Sequence, residues 1–271
     1  MNSQGMSFMS VLYWSAYAFV FGLVFGSFAN VVIYRLPRNM SVVWPGSACP
    51  SCSTRLAVRD LIPVFSWLIL RGKCRACNSS ISPRYIIVEL LCGLLFAAMV
   101  RYSPALSAIP LSLLAFVLLT VAIIDIDTQE IPDGLLIFGG IVGVAWVGLG
   151  YVFPGVLPYP LGWADALLGM LAGALPLLLL DRLTLLILKK DGFGYGDVKL
   201  MAMVGLFLGW QLTLLAFFFA FIGGGIFAAF LLVRKKAMRG DYLAFGPFLC
   251  GGSLLALWFG ETLIAFYFYF N

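Results

Sequence analysis

The chain has 271 residues, of which 62% are hydrophobic and only 11% charged, with a formal net charge of +5. An ordinary soluble domain carries about 25% charged residues, so the composition excludes a soluble globular protein and fits a polytopic membrane protein. The absence of histidine also removes His-Glu-x-x-His zinc proteases and every Ser-His or Cys-His dyad.

The first apolar run covers 8–34. It follows MNSQGMSF, which has no basic n-region, and it is too long for the core of a signal peptide, so it reads as a retained helix. Residues 35–84 come next as the one sizeable extramembrane segment, carrying eight of the 17 Lys and Arg. Within it, Leu61–Leu70 is mostly apolar but too short to span, and is expected to lie against the membrane surface. Spanning runs follow at 85–100 with its flanks, 107–125, 134–153, 163–188, 212–233 and 246–270.

The basic segments 35–84, 189–199 and 234–239 belong in the cytoplasm by the positive-inside rule. Two basic loops on one side need an even number of crossings between them. The short run 198–209 should therefore be a separate, partly inserted helix, turning at Gly209-Trp210-Gln211. The expected fold is all-α, with about eight transmembrane helices and a small cytoplasmic zinc-binding domain between helices one and two. Its parts are 1–34, 35–84 and 85–271. The basic charge fits orientation and contact with lipid headgroups, and no aromatic-interleaved motif points to nucleic acid.

Cys49-Pro-Ser-Cys52 and Cys74-Arg-Ala-Cys77 are separated by 21 residues. Two such pairs supply four thiolates for a closed tetrahedral zinc site, which would fold a segment too small for its own core. Redox dithiols or disulfides are the alternatives, and a cytoplasmic position disfavours stable disulfides. Cys92 and Cys250 sit in apolar helices and read as packing residues.

Asp125 ends one apolar run, and Asp197 opens another after Gly194-Tyr195-Gly196. Carboxylates at such positions are costly and point to function. Two of them sharing a site divide the work: the ionised one activates water and the protonated one donates. Asp127, Asp133, Asp181 and Asp191 read as helix-end caps. Glu89, about one turn inside a helix, needs a partner. Gly192-Phe-Gly-Tyr-Gly196 follows a helix rather than a strand, so it is not a nucleotide loop.

Taken together, these motifs resemble the type IV prepilin peptidases, within the Gly-x-Gly-Asp intramembrane aspartyl proteases. The resemblance runs nearly end to end: Gly26-Ser-Phe-Ala-Asn-Val-Val-Ile-Tyr-Arg-Leu-Pro37, Cys49 to Cys77, Ile81-Ser-Pro-Arg-Tyr85 to Glu89, Ile124-Asp-Ile-Asp-Thr-Gln-Glu-Ile-Pro-Asp133, Gly194-Tyr-Gly-Asp-Val-Lys-Leu200 and Ala244-Phe-Gly-Pro-Phe248. Ala29 and Ala244 depart from the family's usual leucine and proline. The resemblance implies catalytic roles for Asp125 and Asp197 and zinc ligation by Cys49, Cys52, Cys74 and Cys77. It implies prepilin or pseudopilin substrates with a basic leader, cut after glycine at the inner membrane's cytoplasmic edge. It also implies methylation of the new N-terminus from S-adenosylmethionine. Two other readings are a membrane thiol oxidoreductase, which needs the cysteines on the outer face, and a transporter, which needs midplane charges and repeated halves.

Overall fold

The computed structural model describes residues 8–103, 105–159, 161–189, 194–234 and 244–270. Asp191, Gly192, Phe193 and most of the basic stretch 234–239 lie outside the described residues. Among the described residues, seven helices are long and apolar enough to cross a membrane. They are α1 (Phe8–Arg35), α3 (Arg84–Tyr102), α4 (Ala105–Thr128), α5 (Asp133–Val152), α6 (Trp163–Leu188), α7 (Tyr195–Val233) and α8 (Gly246–Phe270), and a short α2 (Phe65–Ile69) lies between α1 and α3. Contacts gather into two units, residues 1–116 and 117–271, with the division inside α4.

In the first unit α1 and α3 run antiparallel at very close approach. A Cβ on Gly26 would come within 2.6 Å of the Glu89 Cα, and one on Gly22 within 2.7 Å of the Cys92 carbonyl. Small residues let helix backbones meet where lipid offers no hydrophobic drive for association. The Asn30 side-chain amide donates to the Tyr85 carbonyl at 3.1 Å and fixes the register. At the end of α1, the buried Arg35 guanidinium donates to the carbonyls of Ser41 and Gly46 at 3.0 and 3.4 Å, folding the chain back into the cysteine segment. The expected surface segment has Ile62, Phe65, Leu68 and Ile69 all exposed.

In the second unit α7 is the organising element. Its 39 residues would make a straight rod of about 58 Å, roughly twice the hydrocarbon thickness. It is not straight: Gly209 has φ 69 and ψ 177, outside helical geometry. A left-handed φ favours glycine. The break orphans carbonyls of the first half, and side chains take them up. Trp146 Nε1 and Tyr159 Oη both donate to the Phe207 carbonyl, at 3.2 and 2.6 Å.

The second half of α7 then turns back. Gly224 packs on Phe245, next to Gly246. The Gly246 N–H binds Asp125, which lines one cleft with Asp197. A straight helix would carry Gly224 about 40 Å from Asp197. The eight expected segments are therefore present as seven helices, one broken at the predicted glycine.

The first half of α7 lies against α6 with almost no side chains between them. A Cβ on Gly205 would overlap the Gly169 carbonyl, and one on Gly173 the Met201 carbonyl. Gly205→Ala is expected to push α6 and α7 apart at a cost of about 1–3 kcal/mol. Gly225→Ala, with nothing near its added carbon, should leave melting in detergent unchanged.

Candidate active site and metal centre

The two candidate centres lie in different units. In the second unit, Asp125 sits three residues from the end of α4 and is only 6% exposed. Its Oδ2 accepts the Gly246 N–H at 2.9 Å. Asp197 lies in the first turn of α7, half-buried, behind an extended Gly194 at the N-cap with φ −71 and ψ 143. Gly196 is needed for close approach, since a Cβ there would stand 2.9 Å from the Ile131 Cβ. That contact brings the loop after α4 onto the start of α7.

Both aspartates line one cleft of about 390 Å³, with Gln129, Glu130, Asp133 and Lys199 on its walls. Lys199 Nζ holds both oxygens of Asp133, at 2.8 and 2.9 Å. That pair is solvent-exposed, so it contributes little stability, but it commits Asp133 to a partner other than water. Asp127 is in the last turn of α4 and exposed. Asp181 departs from the helix-end expectation: it is buried within α6, well before that helix ends.

The structure therefore brings a buried and a half-buried carboxylate onto one cleft, with the Gly194 and Gly196 backbone beside them. Such a pair can polarise a water molecule and protonate a leaving group. Asp125 and Asp197 were both legible in the sequence. Lys199 and Gly246 were not, although each lies in a motif that the resemblance marked.

In the first unit, the Sγ atoms of Cys49, Cys52, Cys74 and Cys77 all lie within 4.8 Å of one another. The Cys49 and Cys77 sulfurs are 3.9 Å apart. That is far beyond a disulfide bond and near the edge of a thiolate tetrahedron around one ion. The set can hold a metal ion.

Two matching turns build this cluster. In each, the first cysteine's N–H binds the carbonyl five residues on (Cys49 to Thr54 at 3.0 Å, Cys74 to Ser79 at 2.8 Å) and its carbonyl accepts the N–H four residues on (Ser53, Asn78) at 2.9 Å. Ser53 and Asn78 both have φ 57. A short bridge closes each turn, Ala48 with Arg55 and Lys73 with Ser80. Backbone N–H groups of Cys52 and Ser51 lower the Cys49 thiol to about 6, favouring the thiolate a metal needs. The Ser79 hydroxyl lowers Cys77 in the same direction. Arg75 donates to Asp60 at 2.8 Å and ties the second turn to the segment before α2, holding the Asp60 carboxyl below its usual range.

Glu89 has its partner in the same unit: its Oε2 accepts the Val64 N–H at 2.7 Å. Val64 has φ 62 and ψ −54, and Phe65 N–H closes a tight turn onto Pro63 at 2.6 Å. A β-branched residue in that region is strained, and the buried carboxylate holds it there. Glu89→Ala should release the turn, costing about 1–3 kcal/mol for the abandoned N–H. Hydrogen exchange at the Val64 amide should quicken about tenfold or more.

A chain with several membrane-spanning helices, a paired-carboxylate cleft and a separate four-cysteine cluster fits a membrane enzyme. Residues 20–102 match the bacterial peptidase A24 N-terminal domain, and residues 112–229 match the type IV leader peptidase family. A prepilin leader peptidase/N-methyltransferase of Stutzerimonas stutzeri is 36% identical over 277 residues, covering 93% of each chain. The protein of the same name from Bacillus subtilis (strain 168) is 35% identical over 251 residues, covering 92% of this chain and 96% of its own. No solved structure gives a significant match. The chain belongs to the type IV leader peptidase family: it is a membrane peptidase, with relatives whose name adds N-methyltransferase activity.

Proposed function

We propose that this chain is an intramembrane aspartyl endopeptidase that removes the basic leader of type IV prepilins or pseudopilins by cutting after glycine. The observation that carries this reading is the single cleft shared by Asp125 and Asp197. An extended substrate segment enters beside the glycine backbone at Gly194 and Gly196. The ionised aspartate takes a proton from water, which adds to the scissile carbonyl carbon. The protonated aspartate donates to the carbonyl oxygen. The tetrahedral adduct then collapses: the C–N bond breaks, the leaving amine takes the proton that the first aspartate drew from water, and a hydroxyl of the adduct returns a proton to the second aspartate as the new carboxyl forms. Loop charge supports a cytoplasmic position, at a bacterial inner membrane, for the basic segments 35–84 and 189–199.

Zinc is the ion best suited to Cys49, Cys52, Cys74 and Cys77, because four clustered thiolates make a closed structural site. Bound there, zinc would supply folding energy and no chemistry. The name shared by the relatives supports methylation of the new N-terminus, with S-adenosylmethionine as methyl donor. The groove at Val11, Leu12, Ser15, Ala97, Ala98 and Arg101 is largely apolar and ill-suited to a charged nucleoside.

The test is incubation of the purified chain in detergent with a synthetic prepilin and labelled S-adenosylmethionine. Cleavage after glycine with label on the new N-terminus supports both halves. Cleavage without label restricts the chain to the peptidase. A folded, metal-loaded chain that cuts none of several prepilins contradicts the reading.

A further inference from the structure

The first turn of α8 contains a donor that the helix itself does not use. A helix start leaves its first N–H groups without intrahelical partners. Here the N–H groups of Phe248 and Leu249 both turn to the Phe245 carbonyl, at 3.0 and 3.1 Å. Pro247 has no N–H to place. That leaves the Gly246 N–H, which donates to Asp125 Oδ2 at 2.9 Å in a buried setting. The fit admits no side chain: a Cβ on Gly246 would stand 2.6 Å from that oxygen and 3.0 Å from the carboxyl carbon. The turn is itself anchored, because the Phe245 ring packs against Phe221 and Phe248 with centroids 5.3 and 6.2 Å away.

We infer that Gly246 is a positioning residue whose backbone N–H seats the Asp125 carboxylate for peptide cleavage. The inference rests on reading Asp125 as catalytic. One carboxylate oxygen is committed to Gly246, so the other is the oxygen available to a water molecule in the cleft. The seat is built from backbone, so it cannot rotate away as a side-chain donor would. Other polar groups around Asp125 are Asp197 on α7, Cys250 on α8, and Gln129, Glu130, Asp133 and Lys199 on the cleft wall.

The experiment compares Gly246→Ala, Gly251→Ala and Asp125→Asn in the full-length detergent-solubilised protein. Gly251 lies about one and a half turns further along α8 with open space around it, so Gly251→Ala controls for an added methyl in this helix. Gly246→Ala is expected to lower kcat about 10²-fold by misplacing the carboxylate, to leave KM little changed and to move the acidic limb of the rate profile. Gly251→Ala should match the wild type. An inactive Asp125→Asn beside a Gly246→Ala with wild-type kcat and pH profile overturns the seat and leaves the aspartyl reading standing. An active Asp125→Asn removes that reading and the inference with it.

Should Gly246→Ala fail to fold, glycine-selective ¹⁵N labelling of the wild type still decides. The Gly246 amide shift should follow a carboxyl titration that disappears in Asp125→Asn. A shift that is flat with pH, or unchanged in Asp125→Asn, overturns the inference.

Discussion

Asp125→Asn and Asp197→Asn each lower turnover of a prepilin by about 10²–10⁴-fold, the range for losing a positioned acid or base. The double variant is expected to be no slower than the worse single. Two carboxylates on one cleft act as a unit, and removing either leaves the other without its partner. Additive losses would mean that the two work independently. Stability should hardly fall in either single. Asn at 125 keeps an oxygen for the Gly246 N–H, and Asp197 is half-buried in the first turn of α7, where Asn keeps the same size and one side-chain oxygen. Initial rates, with melting of the same preparations, check both points.

Serine at any one of Cys49, Cys52, Cys74 or Cys77 is expected to abolish stoichiometric metal binding. Four-thiolate sites tolerate the loss of a ligand poorly, and structural zinc carries on the order of 10 kcal/mol of folding energy in small units. Without it, the two turns at 49–54 and 74–79 are left with a handful of backbone bonds and two isolated bridges. Protease should then cut within 35–84 while the transmembrane helices survive. Cys92→Ser and Cys250→Ser are the controls, since those side chains are buried in α3 and α8. Metal analysis and limited proteolysis read the outcome. Full metal content in a cysteine-cluster variant would contradict the assignment.

The helices were legible because apolar runs of spanning length leave few alternatives, and the observed bounds fall close to those runs. The break at Gly209 was legible for a different reason: loop charge demanded an extra crossing that length alone did not give. Glu89 announced itself as a carboxylate needing a partner, but a backbone N–H at a strained Val64 has no sequence signature. Asp181 misled although its apolar run 163–188 was bounded as α6 is: it lies seven residues before Leu188, inside the helix rather than at its end. The seat at Gly246 was hidden because it joins residues 121 apart in the chain through a backbone atom. The likeness of the two cysteine turns lies in hydrogen bonds and dihedrals, while between the cysteines their side chains differ.

The most direct test is intact-mass analysis of a synthetic prepilin incubated with wild-type, Asp125→Asn and Asp197→Asn proteins, each shown to be folded and metal-loaded. The account predicts a leader fragment ending in glycine from the wild type, and its loss from both variants. Cleavage at that bond by either folded variant would contradict it.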